Sequence, residues 1–277
     1  MWIYPVDTEI NFPACKSTME LYKGTFPIKA KAPLEEASDA VDMYLSGLTR
    51  NGQIDRNYMV GRLDRVINVT VYASSLTALS NDHLIDYSLK WWNEAKVFLK
   101  GIPHWEALSN DSDVSYSDGK DLSFFCLYTD AFNIEPPLRS GPDKHPVPAY
   151  LLPIPFVLRE DLGHWKELFA EDDLMWIRSG ALEMPAYRQT ADPDSKLSLY
   201  GREICGKIEA ATGTPTYYFL AHYYKAKHDK KRPCPVCGKK WRQKKQGTKT
   251  ILADFNFRCE PCRLVSDFGV SSKRNGV

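Results

Sequence analysis

Apolar positions recur along this chain with two periods, and each period predicts one kind of element. The run Val66-Ile67-Asn68-Val69-Thr70-Val71-Tyr72 is rich in β-branched residues and predicts a buried strand. Trp2 to Phe12 alternates more loosely, ends at Pro13, and predicts a strand as well. Leu34 to Leu45 has helical spacing, opens after Pro33 and is expected to close at Gly47. The clearest helix of the first half is expected from Asp82 to Lys100. Ile85, Leu89, Trp92 and Leu99 form its apolar stripe, Trp91, Ala95 and Phe98 widen it, Asn81 is the expected N-cap, and Gly101 follows its end. That stripe assigns both tryptophans to a core rather than to a stacking surface.

Polar turn-formers fill Asn110 to Lys120, and Leu122 to Tyr128 predicts another strand. Seven prolines then fall between Pro136 and Pro155, a density no regular helix tolerates. This stretch either separates two lobes, 1–135 and 156–224, or packs as an ordered loop on one of them. Leu162 to Ile177 predicts a helix carrying Leu168, Leu174, Trp176 and Ile177. In the next helix Leu197, Tyr200, Ile204, Ile208 and Ala211 share a face, Asp194 or Ser195 caps the start, and Gly213 then Pro215 stop it. Thr216 to Tyr224 predicts the strand that follows. Strands interleaved with helices in this way give an α+β or α/β N-terminal body.

Charge divides the chain. Net charge over all 277 residues is +1, yet residues 225–277 carry 15 Lys and Arg against 4 Asp and Glu, a net +11, while residues 1–224 carry 21 against 31, a net −10. The expected division is therefore an acidic body, 1–224, and a basic module, 225–277. Such a module either contacts a polyanion or docks on the acidic body and is neutralised there. No apolar run reaches the length of a membrane span, since the most apolar stretch, Val147 to Leu158, is broken by Pro148, Pro153 and Pro155. The N-terminal segment has no basic region ahead of its apolar residues, so the expected compartment is the cytoplasm.

In that compartment disulfides are disfavoured, and four of the seven cysteines have the spacing of a metal site. Cys234-Pro235-Val236-Cys237-Gly238 and Cys259-Glu260-Pro261-Cys262 each place two thiols two residues apart, where one tight turn presents both sulfurs to one ion. Four thiolates complete the tetrahedral shell that Zn²⁺ prefers and leave no position for an activated water, so one structural zinc is expected. The body should therefore carry a small C-terminal zinc ribbon, a fold too short to be held by its own core. Ile251, Ala253, Phe255 and Phe257 alternate with polar neighbours and predict the strand leading into the second knuckle. Lys239, Lys240, Arg242, Lys244 and Lys245 crowd the first strand and the loop beyond it, with Trp241 among them. Basic residues interleaved with an aromatic suit phosphate contact and base stacking on RNA or single-stranded DNA, although Trp241, Phe255 and Phe257 equally suit a miniature core.

The body offers no catalytic signature. Cys205, with His222 on the following strand, and Cys126 read as buried and inert thiols. Glu35-Glu36, Glu160-Asp161 and Glu171-Asp172-Asp173 read as solvated faces, and no phosphate-binding glycine loop, His-Glu-x-x-His or Gly-x-Ser-x-Gly motif occurs. The blocks Ser195-Lys196-Leu197-Ser198, Gly201-Arg202-Glu203-Ile204-Cys205 and Ile208 to Tyr218, followed by the two knuckles, resemble an uncharacterised bacterial family described as zinc-ribbon-containing and nucleic-acid-binding. The resemblance covers roughly Ser195 to Asp267 and implies a bacterial source with Cys234, Cys237, Cys259 and Cys262 as zinc ligands. The expected function is non-enzymatic nucleic-acid binding through the basic module. The alternative is an inhibitor-like interaction protein whose acidic body takes a protein partner.

Overall fold

The computed structural model describes residues 19–108, 115–141, 144–243 and 255–271. The strand expected at Trp2 to Phe12 therefore lies outside the described residues. The first half runs β1 (Glu20–Pro27), α1 (Leu34–Arg50), β2 (Met59–Leu63), β3 (Val66–Ala73), α2 (Asp86–Phe98) and β4 (His104–Ala107). Its antiparallel sheet has the order β2-β3-β1-β4, so a βαββαβ chain lays both helices against one face. Alternation decides which face that is. Tyr22 and Phe26 of β1 and Ile67, Val69, Val71 and Ala73 of β3 are buried among α1 and α2 residues, with polar positions between them.

Two boundaries differ from the sequence reading, each for a packing reason. Helix α1 runs through Gly47 to Arg50, because Gly47 marks a close approach rather than an end: a Cβ there would lie 2.8 Å from Ser88 Cβ of α2. Helix α2 starts at Asp86 instead of Asp82, since the extended Ile85 precedes it and the Ile85 N–H is taken by Ser88 Oγ at 3.0 Å. Residues 81–83 form a separate short turn, and Leu89 points outward at 43% exposure.

The second half contains β5 (Phe125–Leu127), β6 (Leu138–Ser140), α3 (Phe156–Arg178), α4 (Glu183–Ala191), α5 (Lys196–Thr212), β7 (Thr216–Phe219), β8 (Phe257–Cys259) and β9 (Leu264–Ser266). These five strands form one mixed sheet, β6-β5-β7-β9-β8, with β5 parallel to β7 and β7 parallel to β9. Helices α3 and α5 cover one face through Trp165, Phe169, Ile204 and Ile208, which meet Phe125, Leu127, Tyr218 and Leu264. Phe124, Cys126, Tyr217 and Val265 cluster on the other. Because β5 pairs with β7, the change from one sheet to the other falls between β4 and β5, ahead of the proline-rich segment. That segment is ordered where it is described: Tyr150 packs in the first core, and Val147, Leu152 and Ile154 pack in the second. Helix α4, which no apolar periodicity predicts, admits Pro185 in its first turn, where an N–H has no helical partner. The whole is a mixed α+β body whose four C-terminal cysteines are compatible with a small zinc ribbon. Among the described residues, no helix is long and apolar enough to cross a membrane.

Candidate metal centre

Each cysteine pair sits on a tight turn built by its own backbone. In the first, the Gly238 N–H donates to Cys234 O and the Cys234 N–H to Lys239 O, both at 2.9 Å, and Gly238 is left-handed at φ 69°. In the second, the Arg263 N–H donates to Glu260 O at 3.3 Å and Arg263 is left-handed at φ 49°. The residue after each second cysteine thus turns the same way. Arg263 bears a strain that Gly238 does not, and its guanidinium is fixed in return, donating to both Glu209 carboxylate oxygens at 2.8 and 2.9 Å and to Tyr217 Oη at 3.3 Å.

The two turns bring four sulfurs together. Their Sγ atoms all lie within 4.8 Å of one another, with Cys237 and Cys259 at 3.5 Å. Four sulfurs around an ion at about 2.3 Å stand ~3.8 Å apart, so the cluster has the size of a single tetrahedral site. Cys234 and Cys259 are buried, and Cys237 and Cys262 are half-buried. The Lys239 backbone N–H, with the neighbouring thiols, holds the Cys237 thiol down to about 7, while burial pushes Cys262 up to about 11 and Cys259 higher still. Together these residues can hold one metal ion. Among the described residues no other His, Cys, Asp or Glu group converges in this way.

The remaining thiols and carboxylates are placed elsewhere. Burial raises the Cys126 and Cys205 thiols, and His222 is engaged by Asp229 Oδ1 at 2.5 Å rather than by Cys205. Glu160 pairs with Arg50, Asp161 accepts from Tyr200 Oη, and Asp173 accepts from the Ala131 N–H. Glu35, Glu36 and Glu171 are exposed.

Around the centre, residues 241–243 pair with 256–258 through Gln243 N to Asn256 O and Arg258 N to Trp241 O. They meet as a short antiparallel bridge beside the cysteines. Of the residues expected at a nucleic-acid interface, Lys239, Lys240 and Arg242 are exposed. Trp241 is not: it is 2% exposed, its ring centroid lies 5.2 Å from that of Phe257, and its Nε1 donates to Arg232 O at 3.0 Å. The indole is core, which removes it as a stacking surface. Lys244 and Lys245, with Ile251 and Ala253, lie outside the described residues.

Sequence reasoning missed a buried polar group packed against Trp241 and Phe257. Asp229, 3% exposed, accepts from His222 through Oδ1 and from the Gly269 N–H through Oδ2, while Arg232 donates to Ser266 Oγ and Asp267 O and lies over the Trp241 and Phe257 rings. The signal was present. Asp229 is the lone acidic residue between 225 and 253, amid lysines that would neutralise a solvated carboxylate anyway.

A mixed α+β protein with a four-cysteine centre is thus defined, and its relatives are bacterial. Residues 119–221 match a domain of unknown function, DUF2310, and residues 224–272 match a second one, DUF8594. An uncharacterized protein of Haemophilus influenzae is 36% identical over 145 residues, covering 51% of this chain and 54% of the relative. A second uncharacterized protein of the same organism is 35% identical over 145 residues, covering 51% of this chain and 69% of the relative. The chain belongs to this family of uncharacterised bacterial proteins, although it spans only about half the length of the first relative. Among solved structures, SnoaB, a cofactor-independent oxygenase from Streptomyces nogalater, overlaps 34% of this chain and 95% of its own at 7% identity and a TM-score of 0.28. A dimeric Bacteroides fragilis protein of unknown function and ferredoxin-like fold overlaps 33% of this chain and 97% of its own at 11% identity and a TM-score of 0.26. At such scores neither likeness carries an argument about this chain.

Proposed function

We propose that this is a zinc-stabilised protein that binds nucleic acid through the basic surface around its cysteine centre. Four thiolates are soft donors in the number and spacing that suit Zn²⁺, and four of them saturate the ion, so its role is structural. The observation that carries the nucleic-acid reading is the state of the basic side chains. Lys225, Lys227, Lys230, Lys231, Lys239, Lys240 and Arg242 are all exposed, and no described carboxylate pairs with any of them. Had the module served to neutralise the acidic body, these charges would face it. The described ion pair between the two charge halves that involves an always-charged cation is Arg263 with Glu209. The surface therefore keeps a positive field available to phosphates. With Trp241 in the core, phosphate contact rather than base stacking supports this reading, and duplex and single-stranded nucleic acid are on equal terms.

The test is oligonucleotide affinity measured against salt, on protein whose metal content has been determined. Zinc is expected at one per chain, and affinity is expected to fall steeply as salt rises. Replacing Lys239, Lys240 and Arg242 by glutamine should flatten the log–log slope by about 2 to 3, at roughly 0.7 to 0.9 per lost phosphate contact. Salt-independent binding, or none, overturns the proposal.

A further inference from the structure

Between the first lobe and the second lies a cleft of about 390 Å³, walled by the loop after α1, by residues 131–137 and by one face of α3. That volume falls in the range of small-molecule sites, which favour junctions of this kind. Helical spacing sets the α3 wall, with Arg159, Gly163, Lys166, Ala170 and Leu174 recurring every three or four residues. Two of these positions are small, and a Cβ at Gly163 would meet no atom within 4 Å. Space is left open against the helix. Leu162, Ile54 and Ile134 line it with apolar surface.

The charges that line the cleft are paired, with two exceptions. Lys166 Nζ donates to Asp55 Oδ2 at 2.7 Å and to Ile134 O at 2.9 Å, and Arg56 meets Glu167 at 2.5 Å. Arg159 is different. Its Nη1 donates to Asn51 Oδ1 at 2.6 Å and its Nη2 to Leu152 O at 3.1 Å, its Nε is buried without an acceptor, and no described carboxylate reaches it. Burial draws its pKa down with no acidic neighbour to oppose the change. The guanidinium is also held in place from behind. Asn51 is fully buried and spends its amide N–H groups on Gln53 Oε1 and His83 O, at 2.7 and 2.9 Å, so its oxygen can only face Arg159. One further proton on each Nη remains to be used. The second exception, the exposed Glu171, lies three helical turns along α3, about 18 Å away at 1.5 Å per residue. An isolated, half-buried cation at one end and a carboxylate at the other admit a ligand whose negative end sits at Arg159 and whose apolar part stops short of Glu171.

We propose that this cleft binds a small organic carboxylate, its anionic head on Arg159 and its apolar body along α3 at Gly163. The site is separate from the basic surface around the cysteines and does not depend on the nucleic-acid reading.

The experiment is calorimetric titration of the full chain with straight-chain carboxylates from acetate to octanoate, with 1-hexanol and hexylamine as neutral and cationic probes of matched length. Saturable binding of hexanoate and octanoate is expected, tightening with chain length and at least tenfold tighter than the alcohol or amine. Arg159→Gln should weaken it at least tenfold by removing the head contact, and Gly163→Met should do so by filling the space. The second variant also replaces a helix-interior glycine with a better helix former, so it is expected to fold even if the first does not. Replacing Lys239 and Lys240 should leave hexanoate binding unchanged. Absence of saturable hexanoate binding, equal binding of hexylamine, or undiminished affinity in a folded Gly163→Met protein overturns the proposal.

Discussion

Gly238 and Trp241 stand three residues apart and fail in different ways when replaced. A methyl group at Gly238 meets nothing within 4 Å, so the cost of Gly238→Ala is purely that of holding a side chain at φ 69°. About 1 kcal/mol is expected, read as roughly fivefold weaker metal affinity in a chelator competition. Trp241 is a packing residue. Trp241→Ala should lower stability by about 3 to 5 kcal/mol in denaturant unfolding of the metal-loaded protein. Trp241→Phe keeps most of the ring contact with Phe257 and loses the Nε1 bond to Arg232 O, at about 1 kcal/mol. It should leave oligonucleotide affinity unaltered, and a tenfold loss would put the indole at the interface after all.

At the scale of elements, α5 is tied to the second knuckle by the two-pronged contact of Glu209 with Arg263. Hydrogen bonding from Arg263, with help from the Thr216 N–H and the positive charge, draws the Glu209 carboxyl below its ordinary 4.5. A carboxyl lowered on folding contributes stability above its unfolded value and loses that contribution as pH falls through the folded value. Glu209→Gln should therefore cost about 1 kcal/mol at neutral pH, since the pair is partly exposed, and the difference from the parent protein should shrink steadily below pH 4.5. A difference that is constant from pH 7 to pH 3 would show that the ion pair contributes nothing. Helix α5 was also the most legible element in the sequence. Ser195 accepts from the Ser198 N–H, and Gly213 closes the helix at φ 72°, because caps are written in adjacent residues. The cysteine centre was legible for the same reason, as two local turns. Strand β2 was not: all five of its residues are exposed, so no alternation marks it, and only pairing with β3 makes it a strand. The short β4 depends on a partner far along the chain, β1, more than 75 residues before it, and the three-residue β6 is too short to carry a pattern of its own and is a strand only through pairing with β5. Trp241 was ambiguous because its burial rests on Phe257 and Arg232, and residue type alone does not say which face of a ribbon is covered.

At the scale of the molecule, the charge division does not coincide with a division of structure. Strands β8 and β9 lie beyond residue 224, yet β9 runs beside β7, and Trp241, Phe257 and Leu264 belong to the same core as Trp165 and Ile204. If the four cysteines hold the proposed zinc, removing it should consequently disturb more than the segment that carries them. Chelation is expected to increase amide exchange in β7 and α5 as well as in residues 234–266, with β1 and β3 unaffected in their separate core. Exchange confined to residues 234–266 would show that the second core stands without its last two strands.

This arrangement also sets an order on synthesis. The strand next to β7 is among the last pieces of the described chain to be made, so a nascent molecule already holding α3, α5 and β7 carries a bare, aromatic sheet margin, Tyr217, Tyr218 and Phe219, until residue 266 has emerged. If the four cysteines hold the proposed zinc, cells short of it would prolong that interval, and the margin is then the place where two unfinished copies would meet.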